Sequence, residues 1–554
     1  MADLLLRAAT VVDGTGADRY RADVTVTDGR IDQIDRIGRG LTGHRVIDAD
    51  GLVLAPGFID MHAHSDLRLL LEPDHPSRIT QGVTLEVLGQ DGLSYAPADD
   101  TTLAALRRQL AGWNGDPADE DFDWNWRTVA QYLDRLDTGS GSGARSGSGS
   151  GSGVAVNTCY LVPHGTVRML AMGWDNRPPT GLELARMQQL LDQSLAEGAV
   201  GMSTGLTYTP GMYADTAELV ALCTTVAARG GFHAPHQRSY GAGALEGYAE
   251  MVEISRRSGC PLHLTHATMN FGVNEGRAGQ FLALVDAALA DGVDLTLDSY
   301  PYLPGSTTLA ALLPSWSTEG GPEATLARLA DPAARERIRA DVEERGSDGC
   351  HGVVTDWDTI QVSGVRHSAL SAVVGKRISE LAAAQGRTGT EVFFGLLRAD
   401  QLGTTILQHV GHEENVRAIM RHPAHTVGSD GLLVGARPHP RAWGTFPRYL
   451  ARYSRELGVL TLEQAVARMT GRPARRLGLD RRGLIRPGHH ADLVLFDPDT
   501  VRDTATFDHP RQPAEGIRHV LVNGVPALTD GKPTGDLAGR ALRRGADRKV
   551  RPAD

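Results

Sequence analysis

Apolar and polar positions divide this chain into three regimes. From residue 4 to about 46, short apolar or alternating runs such as Leu4-Leu5-Leu6 and Val24-Thr25-Val26 are separated by turn residues, the period-two texture of strands. Asp28-Gly29, between 24–27 and 31–34, is a two-residue hairpin signal. The same texture returns late in the chain. An apolar run at 491–496 follows Pro487-Gly488, and another at 519–522 precedes Asn523-Gly524. Between these ends, apolar runs alternate with segments of helical period. Strands are predicted at 52–54, Val83–Leu88, 154–161, 231–236, 262–266, 293–298, 405–410 and 426–430. Helices are predicted at 182–196, Thr216–Ala228 and 245–258. Such alternation implies a parallel α/β architecture, either a closed barrel or an open doubly wound sheet. No G-x-G-x-x-G follows an early strand, which weighs against a dinucleotide-binding sheet.

The patterning predicts a β domain built from both termini, 1–55 and 479–540, around a middle region 56–478, with 541–554 as a tail. Residues 139–153 are nearly pure Gly and Ser with one Ala-Arg break, a composition that predicts a flexible loop within the middle region. Residues 304–400 carry helices near 324–329 and 333–345 and are expected to form an insertion over the active face.

The chain has 554 residues and a formal charge of −11, and its pI near 6.0 weighs against nucleic acid as a partner. No apolar run is long enough to span a bilayer, and the first residues lack the basic flank and apolar core of a secretory signal. Cys159, Cys223, Cys260 and Cys350 form no C-x-x-C pair, as expected of free thiols in a reducing cytosol. The expectation is a cytoplasmic protein with a small-molecule substrate and no membrane partner. Oligomeric state is left open.

Candidate chemistry lies at the predicted strand ends. His62 and His64, in Pro56-Gly57-Phe58-Ile59-Asp60-Met61-His62-Ala63-His64, are two residues apart, so an extended chain aims both imidazoles the same way. Imidazole is a ligand for zinc and other borderline metals. Asp91, His236, His266 and Asp430 each follow or end a further predicted strand. In a barrel such ends share one mouth, so all six converge. A divalent metal there would activate water against a carbonyl carbon, with Asp430 moving the proton to the leaving nitrogen. No nucleophile elbow of the G-x-S-x-G type accompanies them. His164, at another predicted strand end, is expected to line the pocket.

These residues resemble the amidohydrolase superfamily, and within it the N-acyl-D-amino-acid deacylases (D-aminoacylases). Besides the H-x-H segment, the resemblance runs through Gly201-Met202-Ser203-Thr204-Gly205-Leu206-Thr207-Tyr208, Asp298-Ser299-Tyr300-Pro301-Tyr302 and Gly428-Ser429-Asp430-Gly431. It continues over His439-Pro440-Arg441-Ala442-Trp443-Gly444-Thr445-Phe446-Pro447. It implies a TIM-like (β/α)8 barrel with a small β-sandwich from both termini, and zinc-dependent release of a carboxylate from an N-acyl-D-amino acid. His236 and His266 would hold the tighter zinc, His62 and His64 a weaker metal, and Asp430 would be general base and acid. Tyr300, Ser306 and Arg441 would hold the substrate carboxylate, a task suited to the planar guanidinium.

Two positions depart from the family pattern. Gly89-Gln90-Asp91-Gly92 puts a carboxylate where the family commonly has a cysteine, favouring a two-metal site or harder ions such as manganese. Thr268 stands where the family often has a lysine. The rival readings are a cyclic amidase or deaminase of the same superfamily and a non-catalytic binding protein on the same fold. Cyclic amidases often use a carboxylated lysine on a barrel strand, and Asn157-Thr158-Cys159-Tyr160-Leu161 has none.

Overall fold

The structure is a computed structural model describing residues 1–118, 122–139 and 152–553. Most of the Gly/Ser run expected to be a loop lies outside the described residues. Eight parallel strands follow one another around a barrel in sequence order: β1 (Phe58–Asp60), β2 (Val83–Leu88), β3 (Asn157–Pro163), β4 (Gly201–Gly205), β5 (Phe232–His236), β6 (Leu262–Leu264), β7 (Leu295–Ser299) and β8 (His425–Val427). The ring closes at its C-terminal end. Met61 N–H donates to Val427 O at 3.1 Å, Asp430 N–H donates to His62 O at 2.8 Å, and Ala63 bridges Gly431 in parallel. The barrel alternative is therefore the correct one, and the open doubly wound sheet is excluded.

The helices between strands follow their local signals. Thr216–Ala228 starts where predicted because Asp215 caps it, accepting from the Glu218 amide. Gly181–Ala196 opens on a capping box from Thr180 and Glu183. Ala244–Ser258 ends at Gly259, whose φ of +68° is left-handed.

Both termini build one nine-stranded mixed sheet. Its seam is the antiparallel pairing of Val53–Pro56 with Leu493–Phe496, in the register Leu493 to Pro56 and Phe496 to Val53. The apolar run 52–54 therefore belongs to this sheet and not to the barrel, whose first strand begins after Gly57. Two-residue periodicity serves both sides of the seam. Leu493 and Leu495 enter the sheet's own core, while Val494 and Phe496 enter the core shared with the barrel. Asp28-Gly29 and Asn523-Gly524 both turn with positive φ at each position, the primed geometry that matches strand twist. The two turns pack backbone to backbone, since a Cβ on Gly524 would meet Gly29 Cα at 2.4 Å.

Two further corrections concern placement. The predicted strand 405–410 exists as Thr405–Gln408 but lies outside the barrel. It pairs antiparallel with Gly305–Thr308 and Ile360–Gly364, giving the insertion a sheet and an apolar core of its own. Strand β4 escaped the pattern because Gly201-Met202-Ser203-Thr204-Gly205 has neither alternation nor bulk, although all five residues are buried. At the opposite end of the barrel, Leu542–Arg544 pairs with Val550–Pro552. Leu542 and Val550 pack there against Ile59, Leu85 and Phe232.

Candidate active site

Strand ends, closed into a ring, carry the six predicted ligands to one place. Asp91 is the centre. Its Oδ1 lies 3.4 Å from His62 Nε2 and 3.4 Å from His266 Nε2, and its Oδ2 lies 3.5 Å from His64 Nε2 and 3.4 Å from His236 Nδ1. Asp430 Oδ1 lies 3.1 Å from His64 Nε2 and 3.7 Å from His62 Nε2. Two overlapping donor groups result: His62, His64, Asp91 and Asp430, and Asp91, His236 and His266. All six residues are buried.

The donor set fits a cation better than it fits hydrogen bonding. Two donors each about 2.05 Å from one zinc at a tetrahedral angle are themselves about 3.4 Å apart, whereas an imidazole–carboxylate hydrogen bond is shorter. His236 Nε2 lies 2.7 Å from Thr207 Oγ1, which leaves Nδ1 as the nitrogen facing Asp91, and that buried Nδ1 has no hydrogen-bond partner among the described residues. Burial keeps His62 neutral, lowering its pKa to about 4, and also lowers His236. At His64 burial works the same way, but the Asp430 and Asp91 carboxylates outweigh it and hold the ring up at about 10. Burial opposes the charge on Asp430, yet Arg441 and the imidazoles hold its carboxyl below the usual range. Two buried carboxylates that draw positive charge onto His64 and His266, beside rings kept neutral at His62 and His236, are a cation site.

Three of the six candidate ligands have left-handed backbone. Asp91, His266 and Asp430 have φ of +54°, +32° and +50°. Each such residue costs about 1–3 kcal/mol unless its surroundings enforce it. The Asp298 carboxylate accepts from the His266 amide at 2.8 Å. Asp60 accepts from the amides of His62 at 3.2 Å and Ser429 at 2.7 Å, tying the first strand to the last. Gly205 is required for close approach, because a Cβ there would meet Asp91 O at 1.9 Å.

Beside the ligands, Arg441 Nη2 lies 2.9 Å from Asp430 Oδ2, and its guanidinium stands over the Tyr300 ring at 4.4 Å. Arg441 Nε and Nη1 are buried without partners among the described residues. Burial pushes the Tyr300 phenol up to about 12, against the pull of Arg441, so it keeps its proton at neutral pH and is a donor. Tyr300 and Ser306 line a cavity of about 70 Å³ with His64, Asp91, His236 and Asp430. Thr268 also lines it, with its hydroxyl donating to Asn270 Oδ1 at 2.7 Å. His164 is a correction. It is fully buried away from this cavity, with Nε2 2.8 Å from Glu218 Oε1, because the polypeptide turns directly into the helix His164–Met172 and carries the ring inward. Sequence reasoning missed Thr207, Trp113 and Tyr208. Thr207 and Tyr208 end the Gly201–Tyr208 motif, whereas Trp113 lies in no motif.

The Amidohydrolase family model matches residues 45–527. The chain belongs to the amidohydrolase family. It is 35% identical over 544 residues to D-aminoacylase of Alcaligenes xylosoxydans xylosoxydans, covering 98% of each chain. It is 36% identical to N-acyl-D-glutamate deacylase of the same organism, covering 98% of this chain and 97% of that one. Among solved structures, it is similar to N-acyl-D-glutamate deacylase of Bordetella bronchiseptica complexed with zinc and a phosphonate inhibitor. That match has a TM-score of 0.78 and 35% identity, and covers 98% of this chain and 99% of the other. This amidohydrolase is accordingly a metal-dependent hydrolase of carbon–nitrogen amide bonds, of the deacylase type. Among the described residues no helix is long and apolar enough to cross a membrane.

Proposed function

We propose that this amidohydrolase removes the acyl group from N-acyl-D-amino acids. The observation that carries the reading is the two-sided environment of Asp430, with imidazoles on Oδ1 and Arg441 on Oδ2. His236 and His266 would hold one cation, His62 and His64 a second, and Asp91 would serve both. Bound there, a divalent metal supplies Lewis acidity that polarises the amide carbonyl and acidifies water. Asp430 Oδ1 takes the proton from the attacking water and returns it to the leaving nitrogen. Arg441, through Nη2, keeps that carboxylate anionic and aimed, and its Nε and Nη1 stay free to donate to a substrate carboxylate. Tyr300 and Ser306 add hydroxyl donors on the same side. Thr268 supplies no charge, so the carboxylate depends on Arg441.

The full-length likeness to proteins named for D-aminoacyl and N-acyl-D-glutamate deacylation supports the D-configured substrate. The cyclic-amidase rival gains nothing from β3, which carries no lysine along Asn157–Pro163. Four free, buried cysteines suit a cytoplasmic enzyme. A hydrolysis screen of N-acetyl-D- and N-acetyl-L-amino acids with zinc, with manganese and without metal tests the reading. D-substrates should be turned over, and their methyl esters should be at least tenfold poorer. Equal rates for acid and ester would remove carboxylate recognition. Asp430→Asn should lower kcat about 10²–10⁴-fold, whereas a binding protein would keep its affinity unchanged.

A further inference from the structure

A second cavity, of about 410 Å³, adjoins the 70 Å³ cavity at the metal ligands. Trp113, Thr207, Tyr208 and Ala311 line both and form the wall between them. The Trp113 and Tyr208 rings meet edge to face with centroids 5.1 Å apart. On the catalytic side Trp113 packs on His64 at 5.0 Å, and Tyr208 packs on His236 at 4.9 Å. Beyond the wall Leu110, Trp174, Met212, Leu313, Leu326 and Leu402 supply an apolar part of the lining, and threonines, Gln109, Gln401, Arg366 and His367 supply a polar part. At its charged margin Arg108 pairs with Glu323 at 2.7 Å and Arg366 with Asp116 at 3.4 Å. The buried Trp113 indole N–H has no partner among the described residues. A volume of this size falls in the range of pockets that enclose a ligand, and the small cavity alone does not.

We propose that this second cavity receives the acyl chain, and that the preferred substrates are N-acyl-D-amino acids with a medium or long aliphatic acyl group. The inference rests on the deacylase reading. Its direction follows from what the wall touches: Trp113 packs on His64 and Tyr208 on His236, both among the candidate metal ligands. The wall therefore abuts the imidazoles between which the amide carbonyl must sit, and the acyl chain, bonded directly to that carbonyl carbon, is the arm that starts nearest to it. A substrate whose carboxylate meets Arg441 sends its acyl arm towards Trp113 and Tyr208. Hydrolysis adds water across the amide. The hydroxyl goes to the acyl carbon, giving a fatty carboxylate beside the wall, and the proton goes to nitrogen, giving the free amino acid. Each methylene moved from water into such a lining is worth about fourfold in binding.

The test is kcat/KM for the acetyl, butanoyl, hexanoyl and octanoyl derivatives of one D-amino acid, beside a series that lengthens the side chain with acetyl held fixed. We expect kcat/KM to rise at least tenfold from acetyl to octanoyl. Leu326→Trp and Ala310→Phe, which fill the cavity, should each cut the octanoyl-to-acetyl ratio at least tenfold. Calorimetry with octanoate should show weaker binding to both variants than to the wild type. A rate that falls steadily as the acyl chain grows, or a gain that follows the side chain alone, would overturn the acyl assignment and leave the deacylase reading standing. No turnover of any member, acetyl included, would overturn both.

Discussion

Asp91 and Thr207 show how much of the site is decided by single side chains. Asp91 offers two oxygens to four imidazoles, each within 3.5 Å, so one carboxylate serves both donor groups. Thr207 acts from behind: its hydroxyl at 2.7 Å fixes which His236 nitrogen faces Asp91. Removing such a partner costs about 10–100-fold in metal affinity. Thr207→Val is therefore expected to bind zinc at least tenfold more weakly with little change in thermal stability, measured by competition with a chromogenic chelator. Unchanged affinity would mean that His236 is oriented by packing alone. The convergence of the six candidate ligands was legible in the sequence because imidazoles and carboxylates at strand ends are chemically conspicuous. Thr207 and Trp113 were not, because a hydroxyl or indole has no distinctive spacing and acquires its role only from what folds beside it. His164 misled for the converse reason: its position at a strand end was real, but the helix that starts there buries the ring against Glu218.

At the scale of elements, β2 carries a buried charge that the barrel can hold only as a network. Glu86 accepts from Ser65 at 3.1 Å, faces His75 Nε2 at 2.9 Å and is paired with Arg78, which also faces Asp60 at 3.5 Å. Burial pushes against the charge, but His75 and Arg78 prevail and hold Glu86 down at about 2. A depressed carboxyl contributes stability that is fully present above its unfolded pKa, near 4.5, and is lost as pH falls towards 2. The shift corresponds to about 3 kcal/mol. Glu86→Gln should thus be about that much less stable than wild type at pH 7, and the gap should narrow between pH 4.5 and 2, as read by urea unfolding at each pH. A gap independent of pH would place the effect in packing. Element prediction succeeded where a local signal sufficed, as at Thr216–Ala228 and the two primed turns. It failed where partnership decides. Thr405–Gln408 looks like any buried strand, and only its antiparallel neighbours put it in the insertion.

Across the whole molecule, the sheet and the barrel share one core. Phe58, at the start of β1, stacks on Phe446 at 5.8 Å and meets Phe496 of the C-terminal strand at 6.3 Å. Val494, Phe496, Val520 and Val522 of the sheet belong to the same buried cluster as Val83 and Val427 of the barrel. The two parts are therefore joined by a shared apolar core, with Asn157 of the barrel also bonded to Asp492 and Asn523 of the C-terminal segment, although their strands come from opposite ends of 554 residues. The period-two alternation at 491–496 is what makes this possible, since it supplies an apolar face to each side. Phe496→Ala should cost about 3–5 kcal/mol and lower one shared transition rather than release the sheet first. Scanning calorimetry run beside an activity assay at each temperature distinguishes the outcomes: loss of heat-absorbing structure and loss of hydrolysis should coincide in both proteins. A sheet that melted first while hydrolysis persisted would show that the barrel keeps its ring of ligands closed without help from the termini.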